Sequence, residues 1–426
     1  MIAVLNCIVI FILAWLFFKK NAPQQPRLFW MAFSYHLLLA MALGLIYRYY
    51  YSANDTWLFF QDSNTLAQFG ENDFMGYCKF LFSGEAPSGL LGQLVYSQER
   101  SIFLVKIMSV FSWMGGHNYW ASAAWFSFIS FLSCWYLYAA VAHIFERSHM
   151  AASLSFLFFP SVAFWGSGLV KETIALAGIY FLAGIFLKFI HRQKTKWFEW
   201  ALLLGSYWAA WNLKYYWATL FAAVLLTYAM VIFLGKKFSV CNKHKVFTWL
   251  IVFIFLCGGA SLSHPNFYPS RFLEVLVSNH EEFIRISDDS GLIHFYDFHA
   301  SWWSVVLNAP WALFSGLLRP FIWEASGMTA FMAALENLMI VVLLVSALGG
   351  YKKHNPHQLL FFSLLVYVAM LCVFLALSTP NFGTLSRYRV GFLPFFVFVI
   401  TYRNPLVEYL SERFKFLRVY SKMSHI

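Results

Sequence analysis

Four short groups of residues in this chain have the types and spacing to act on an anionic substrate. The first runs from Asn54 to Thr65 and holds Asp55 and Asp62. Seven residues apart, the two carboxylates would share one helix face over two turns. A carboxylate at the mouth of a cavity can take the proton of an attacking hydroxyl. Alternatively, Asp62 caps a helix over residues 63–69. The second is Lys171-Glu172, directly after Gly166-Ser167-Gly168. Lys171 can hold a phosphate as a point charge, and Glu172 can orient it or pair with an arginine. The bland reading is a snorkelling lysine and an ion pair at a helix start. The third is Arg319 with Trp323 and Glu324, followed by Glu336-Asn337 inside an apolar run. A guanidinium among aromatic rings suits phosphate or sugar binding. Glu336 would be costly facing lipid, so it should face inward, where it either supports the site or simply bonds a neighbouring helix. The fourth is Ser386-Arg387-Tyr388-Arg389 at the start of the last apolar run, suited to a phosphorylated lipid headgroup. His117, His264, His280, His294 and His299 show no ligand spacing of the His-Glu-x-x-His kind, and the scattered cysteines predict neither disulfides nor structural zinc.

The elements that must position these groups are membrane helices. The chain of 426 residues is 61% hydrophobic and 21% aromatic, with 12% charged residues and a mean hydropathy of +0.63. Soluble domains carry about 25% charged residues, so the composition predicts an all-α polytopic membrane bundle forming one integral membrane domain over residues 1–426. A span needs about 20 mainly apolar residues. On that basis there are about eleven: 2–18, 29–50, 118–144, 150–166, 172–190, 197–212, 215–234, 246–263, 328–349, 358–378 and 388–402. The first of them lacks the charged start and small-residue cleavage site of a signal peptide. Pro160 and the Gly166-Ser167-Gly168 break make residues 160–173 one wall of a functional cavity, because broken backbone in a membrane must be covered by protein or line water.

Charge sets the expected orientation. With the N-terminus outside and the C-terminus inside, the inner loops collect 19 of the 30 basic residues against four of the 19 acids, as the positive-inside rule requires. The net charge of +11 therefore reflects loop asymmetry, with no basic face for nucleic acid. Both long loops, 51–118 and 264–328, are then outside. Each contains an interfacial stretch, 101–114 and 300–322, with Trp113, Trp302, Trp303, Trp311 and Trp323 suited to headgroup level. The tail from about residue 403 to 426 is a basic amphipathic stretch on the cytoplasmic leaflet. The inner loops offer no glycine-rich nucleotide loop, and no internal repeat supports a transporter of the inverted-repeat kind.

The acid of the first long loop (Asp62), the stretch Phe159–Glu172 and the stretch Ser386–Pro394 together resemble the GT-C superfamily of polytopic membrane glycosyltransferases and its polysaccharide-polymerase and O-antigen-ligase relatives. The resemblance implies a GT-C-like bundle that moves a sugar from a polyprenyl-phosphate carrier to an acceptor glycan, lipid or protein at the outer face. The setting it implies is a bacterial inner membrane and cell-envelope glycan assembly. It casts Asp62 as the loop acid and Arg387 and Arg389, with Lys171 as a looser match, as contacts to the lipid phosphate. On the residues alone, Asp55 is a second candidate catalytic acid, Glu172 and Arg319 are further candidates for holding the donor phosphate, and Glu324 and Glu336 are candidate supports. It requires no cofactor and leaves room for a divalent magnesium or manganese ion. The chain departs from the resemblance in its extra span before the acid loop, and in acids that are not adjacent. Competing readings are a glycan polymerase or ligase, a lipid or glycan flippase, and a non-catalytic envelope subunit.

Overall fold

The computed structural model describes residues 1–51, 54–86, 89–263, 268–349 and 357–413. Their secondary structure is helical, and the extended pairing among them is a single bridge between Leu292 and Asn381. Helices α1 (Ile2–Asn21) and α2 (Pro26–Tyr49) lead into a group of three, α3 (Asp55–Asn72), α4 (Phe74–Ser83) and α5 (Glu99–Met114). Helix α6 (Tyr119–Ile144) follows, then α7 (His149–Ala152), a π-helical turn (Ser153–Phe158), α8 (Pro160–Trp165) and α9 (Lys171–Ile190). Next come α10 (Trp197–Lys237), α11 (Ser239–Lys243), α12 (Lys245–Ser263), α13 (Pro269–Ile286) and α14 (Trp302–Leu318). The chain closes with α15 (Met328–Gly349), α16 (Gln358–Ser378), α17 (Phe382–Tyr388), α18 (Leu393–Thr401) and α19 (Pro405–Arg413).

Among the described residues, eight helices are long and apolar enough to cross a membrane: α1, α2, α6, α9, α10, α12, α15 and α16. A ninth candidate is the pair Phe382–Gly391 and Leu393–Thr401, bent by 68°. This is an integral membrane protein in its helix content. That bent pair stands where the run 388–402 is expected, and three other expected runs depart from simple spans for two local reasons. The run 150–166 is broken at Phe159, which is extended (φ −63°, ψ 122°). Pro160 cannot donate an amide hydrogen and would clash with the preceding turn, so it opens a new helix at its first position, where proline is tolerated. The runs 197–212 and 215–234 are the two arms of α10. Lys214 has non-helical angles (φ −142°, ψ 66°), and the rings of Trp200 and Phe233 both pack on Phe189, at 5.5 and 6.3 Å. A straight helix would hold those two residues roughly 50 Å apart, so the chain doubles back at Lys214.

The buried centre is α6 and α9, with α1 and α12 largely exposed at the periphery. Small residues let α9 and α10 approach closely: Ser206 and Ala210 face Gly178, the kind of contact that drives helix association in lipid. The three helices of the 51–118 segment sit at one end of this bundle, where Trp57 of α3 stacks on Tyr119 of α6 at 3.9 Å. Helix α14 packs on α16. Its Trp302 stacks on Phe272, which in turn meets Phe374 of α16, while Gly316 lies against Cys372 and Ala376. It exposes Trp302, Trp303, Val306, Leu307, Trp311 and Phe314, an apolar aromatic face. His264, Lys352, Lys353 and the tail beyond Arg413 lie outside the described residues.

Candidate functional site

The stretch that ends α8 builds one wall of the site. Ser167 Oγ donates to Ala163 O at 2.5 Å, and Thr173 Oγ1 donates to Gly168 O at 2.7 Å. His36 spans the break, with Nε2 3.0 Å from Leu157 O and Nδ1 3.1 Å from Ser167 Oγ. The loop is thus tied on both sides, and α9 starts at a fixed place with Lys171 and Glu172 in its first turn. A carboxylate is favoured there by the helix dipole.

Glu172 is fully buried and divides its carboxylate between two cations from distant parts of the chain. Arg387 of α17 reaches Oε2 through Nε at 2.9 Å and Nη2 at 2.8 Å. Lys214, at the reversal of α10, reaches Oε1 at 2.7 Å. The same Lys214 lies 3.5 Å above the Tyr388 ring, so the α10 reversal and α17 close on one another around the acid. Arg387 has donors left over. Nη1 donates to Tyr47 Oη of α2 at 3.1 Å and lies 3.7 Å from Asp55 Oδ2 at the start of α3. Asp55 is the outermost of these groups, with its side chain 41% exposed. Its other oxygen accepts from Tyr96 Oη at 3.3 Å. Lys171 completes the group. It donates to Ser101 Oγ of α5 at 2.8 Å and lies 5.1 Å from the Phe59 ring. Arg100, beside Ser101 in sequence, lies 4.5 Å over the Tyr215 ring. The result is three cations, Lys171, Lys214 and Arg387, around two carboxylates, open on the Asp55 side.

Of the residues singled out from the sequence, Asp55, Lys171, Glu172 and Arg387 converge here. The others do not. Asp62 is neither a helix cap nor a group at a cavity mouth. It lies mid-way along α3, 1% exposed, and both of its oxygens accept backbone amides, from Val95 at 2.9 Å and Tyr96 at 3.0 Å. The two arginines of the Ser386–Arg389 stretch part company. Arg389 is 1% exposed and pairs with Glu336 of α15 at 2.7 Å and with Asn337 Oδ1 at 2.6 Å. Glu336 also accepts the Ser161 amide and hydroxyl, at 2.6 and 2.7 Å. Glu336 and Arg389 are therefore a clasp on the first turn of α8, whose N–H groups have no intrahelical partner. Arg319 and Glu324 pair with one another, Nε–Oε1 at 2.9 Å, and Arg319 lies between the Trp311 and Phe382 rings.

Sequence reasoning missed Lys214, Tyr47 and Tyr96. Lys214 had a usable signal, since a lysine between two apolar runs needs a partner in the bundle. The two tyrosines had none. The donor set does not suit a divalent metal: both Glu172 oxygens are taken by cations, and Asp55 stands beside Arg387. Among the described residues no three His, Cys, Asp or Glu side chains gather as ligands. Comparison with family models, curated proteins and solved structures finds no match for this chain.

Proposed function

We propose that this chain is a membrane glycosyltransferase that draws on a polyprenyl-phosphate-linked sugar, with Asp55 rather than Asp62 as the base. The observation that carries this reading is the cation-rich cluster of Lys171, Lys214 and Arg387 with a half-exposed carboxylate, Asp55, at its rim. The positive-inside count puts this end of the bundle on the non-cytoplasmic face, with the N-terminus outside and the C-terminus inside. In the reaction the acceptor hydroxyl oxygen bonds to the anomeric carbon as the bond from that carbon to the phosphate oxygen breaks. The electron pair leaves with the polyprenyl phosphate, and the hydroxyl proton passes to Asp55. Fixed cations facing the departing phosphate lower the barrier because they need no reorganisation as charge develops. Lys171 is the cation best placed to give up its present partner, since Ser101 is neutral and Lys214 and Arg387 are held by Glu172.

The test is binding and turnover with the full chain in nanodiscs of zwitterionic lipid. Undecaprenyl phosphate should bind, and undecaprenol and phosphatidylglycerol should bind far more weakly. Lys171→Gln should weaken the phosphate roughly tenfold or more, the worth of a charge-assisted hydrogen bond. Asp55→Asn should stop release of undecaprenyl phosphate from a sugar-linked donor while leaving its binding within about twofold, since general-base loss costs roughly 10²–10⁴ in rate. Equal binding of the alcohol and the phosphate, or turnover that survives Asp55→Asn, would overturn the reading.

A further inference from the structure

Helix α3 presents Asp55, Phe59 and Asp62 one and two turns apart on a single face, and all three hold the short segment Leu94–Gln98. Asp62 takes the two consecutive amides of Val95 and Tyr96. Phe59 stacks on the Tyr96 ring, with centroids 4.2 Å apart and planes 19° from parallel. Asp55 takes the Tyr96 hydroxyl. The ends of the segment are tied to the flanking turns, Leu94 N to Leu91 O and Gln98 O to amides in the first turn of α5. Between them Val95 is exposed, and the polar contacts that hold Val95 and Tyr96 come from this face of α3. Just beyond it, α5 begins at Glu99 and carries Arg100 and Ser101, the neighbour and the partner of Lys171. One buried carboxylate therefore holds the tyrosine that hydrogen-bonds Asp55, three residues before the start of the helix that carries the partner of Lys171.

We infer that Asp62 is a positioning residue, a latch that holds the segment Leu94–Gln98 against α3 so that Tyr96 orients the Asp55 carboxylate. Burial, and behind it the Asp55 charge, hold the Tyr96 phenol well above its ordinary value, so at neutral pH it is a hydrogen-bond donor. With Oδ1 occupied by that phenol, Oδ2 is the oxygen left toward Arg387 and an incoming hydroxyl. The latch rests on contacts alone; its consequence for rate rests on the glycosyl-transfer reading, and the two can fail separately.

Hydrogen exchange on the full chain in nanodiscs tests the latch directly. In Asp62→Asn one amide loses its acceptor and meets a side-chain NH₂ instead, so the Val95 and Tyr96 amides should exchange roughly 10- to 100-fold faster, the worth of a hydrogen bond to a charged group. Amides of α6 and α9 should not change, which separates release of the segment from unfolding. Tyr96→Phe should leave those two amides protected, and Asp62→Glu should restore part of the protection. With a polyprenyl-phosphate-linked hexose as donor, Asp62→Asn and Tyr96→Phe should lower kcat by similar factors with KM within about twofold. The double variant should be no slower than Asp62→Asn alone, because residues acting through one another are not additive. Unchanged exchange at Val95 and Tyr96 in Asp62→Asn would overturn the latch. Multiplying rate losses in the double variant would overturn the positioning role and return Asp62 to independent action. A wild-type chain that shows the exchange pattern but does not bind undecaprenyl phosphate would remove the glycosyl-transfer reading and leave the latch standing.

Discussion

Replacing Glu172 with glutamine would leave Arg387 and Lys214 facing one another without the carboxylate that now lies between them. Their side chains are 14% and 6% exposed, so water can do little to screen the repulsion. Removing one partner of a buried ion pair costs about 3–5 kcal/mol. Here one deletion strands two cations, so Glu172→Gln belongs at the upper end of that range. Lys214→Met keeps most of the side-chain packing and removes a cation from a triad that holds two. Glu172 then retains Arg387, and the loss is nearer the roughly 1.5–3 kcal/mol of one hydrogen bond to a charged group. The two changes should not add. In the Glu172→Gln background, Lys214→Met takes away the repulsion, so it should stabilise rather than destabilise, and the remaining cation, Arg387, still has Tyr47 and Asp55. Coupling between residues in one network runs to about 0.5–3 kcal/mol, enough to reverse the sign. The assay is reversible unfolding in mixed lipid–SDS micelles, followed by far-ultraviolet circular dichroism in all four members of the cycle. If Lys214→Met destabilises both backgrounds by the same amount, the triad is not the electrostatic unit described above.

Two further outcomes follow from the packing. A methyl group added at Gly178 would lie 2.6 Å from the Ser206 carbonyl oxygen and 3.2 Å from Ala210 Cβ. Because the first of these is backbone, α9 and α10 must separate, and Gly178→Ala should cost about 1–3 kcal/mol in the same unfolding assay; a neutral result would mean that the two helices are not in register there. His280 of α13 is buried against Phe298 and bonds Leu377 O through Nδ1 at 2.6 Å. Burial holds its imidazole below the ordinary value, against smaller opposing pulls from Leu377 and Glu281. The unfolded chain therefore binds a proton that the folded chain refuses, so this contribution is present above about pH 6.5 and is lost as pH falls below it. Unfolding measured between about pH 7 and 5 should show a shallower decline in His280→Asn than in the wild type, and parallel curves would place the acid response elsewhere.

Much of the architecture was legible in the sequence because hydropathy reports directly on which runs can lie in lipid. The reversal at Lys214 and the break at Pro160 were both marked by residues that interrupt an apolar run. The pairing of charges was not legible. Arg387 and Arg389 look equivalent in sequence, yet α17 gives way to a short turn of another helix type between them, and one side chain faces Glu172 while the other faces Glu336. Asp55 and Asp62 do share a helix face as their spacing implies. That spacing carries no information on what the face meets, and the segment that meets it comes from 33 residues further along the chain.

Bilayer physics explains why the charges that remain are the informative ones. An ionised group away from water must be paired or must line a wet cavity, so the interior acids and cations of this bundle first satisfy one another. Glu336 takes Arg389, Glu324 takes Arg319, and Glu172 takes Arg387 and Lys214. What this pairing holds least tightly at the Glu172 end is a lysine bonded to a neutral serine, Lys171, and a half-exposed carboxylate 3.7 Å from the already paired Arg387, Asp55. They flank the same ring: Phe59 lies under Lys171 and one turn along α3 from Asp55. A bundle stabilised only by ion pairs would have no use for a desolvated ammonium without an acid of its own beside a carboxylate that faces water. The glycosyl transfer proposed above, which must hold a phosphate and accept a proton at one site, would use that combination.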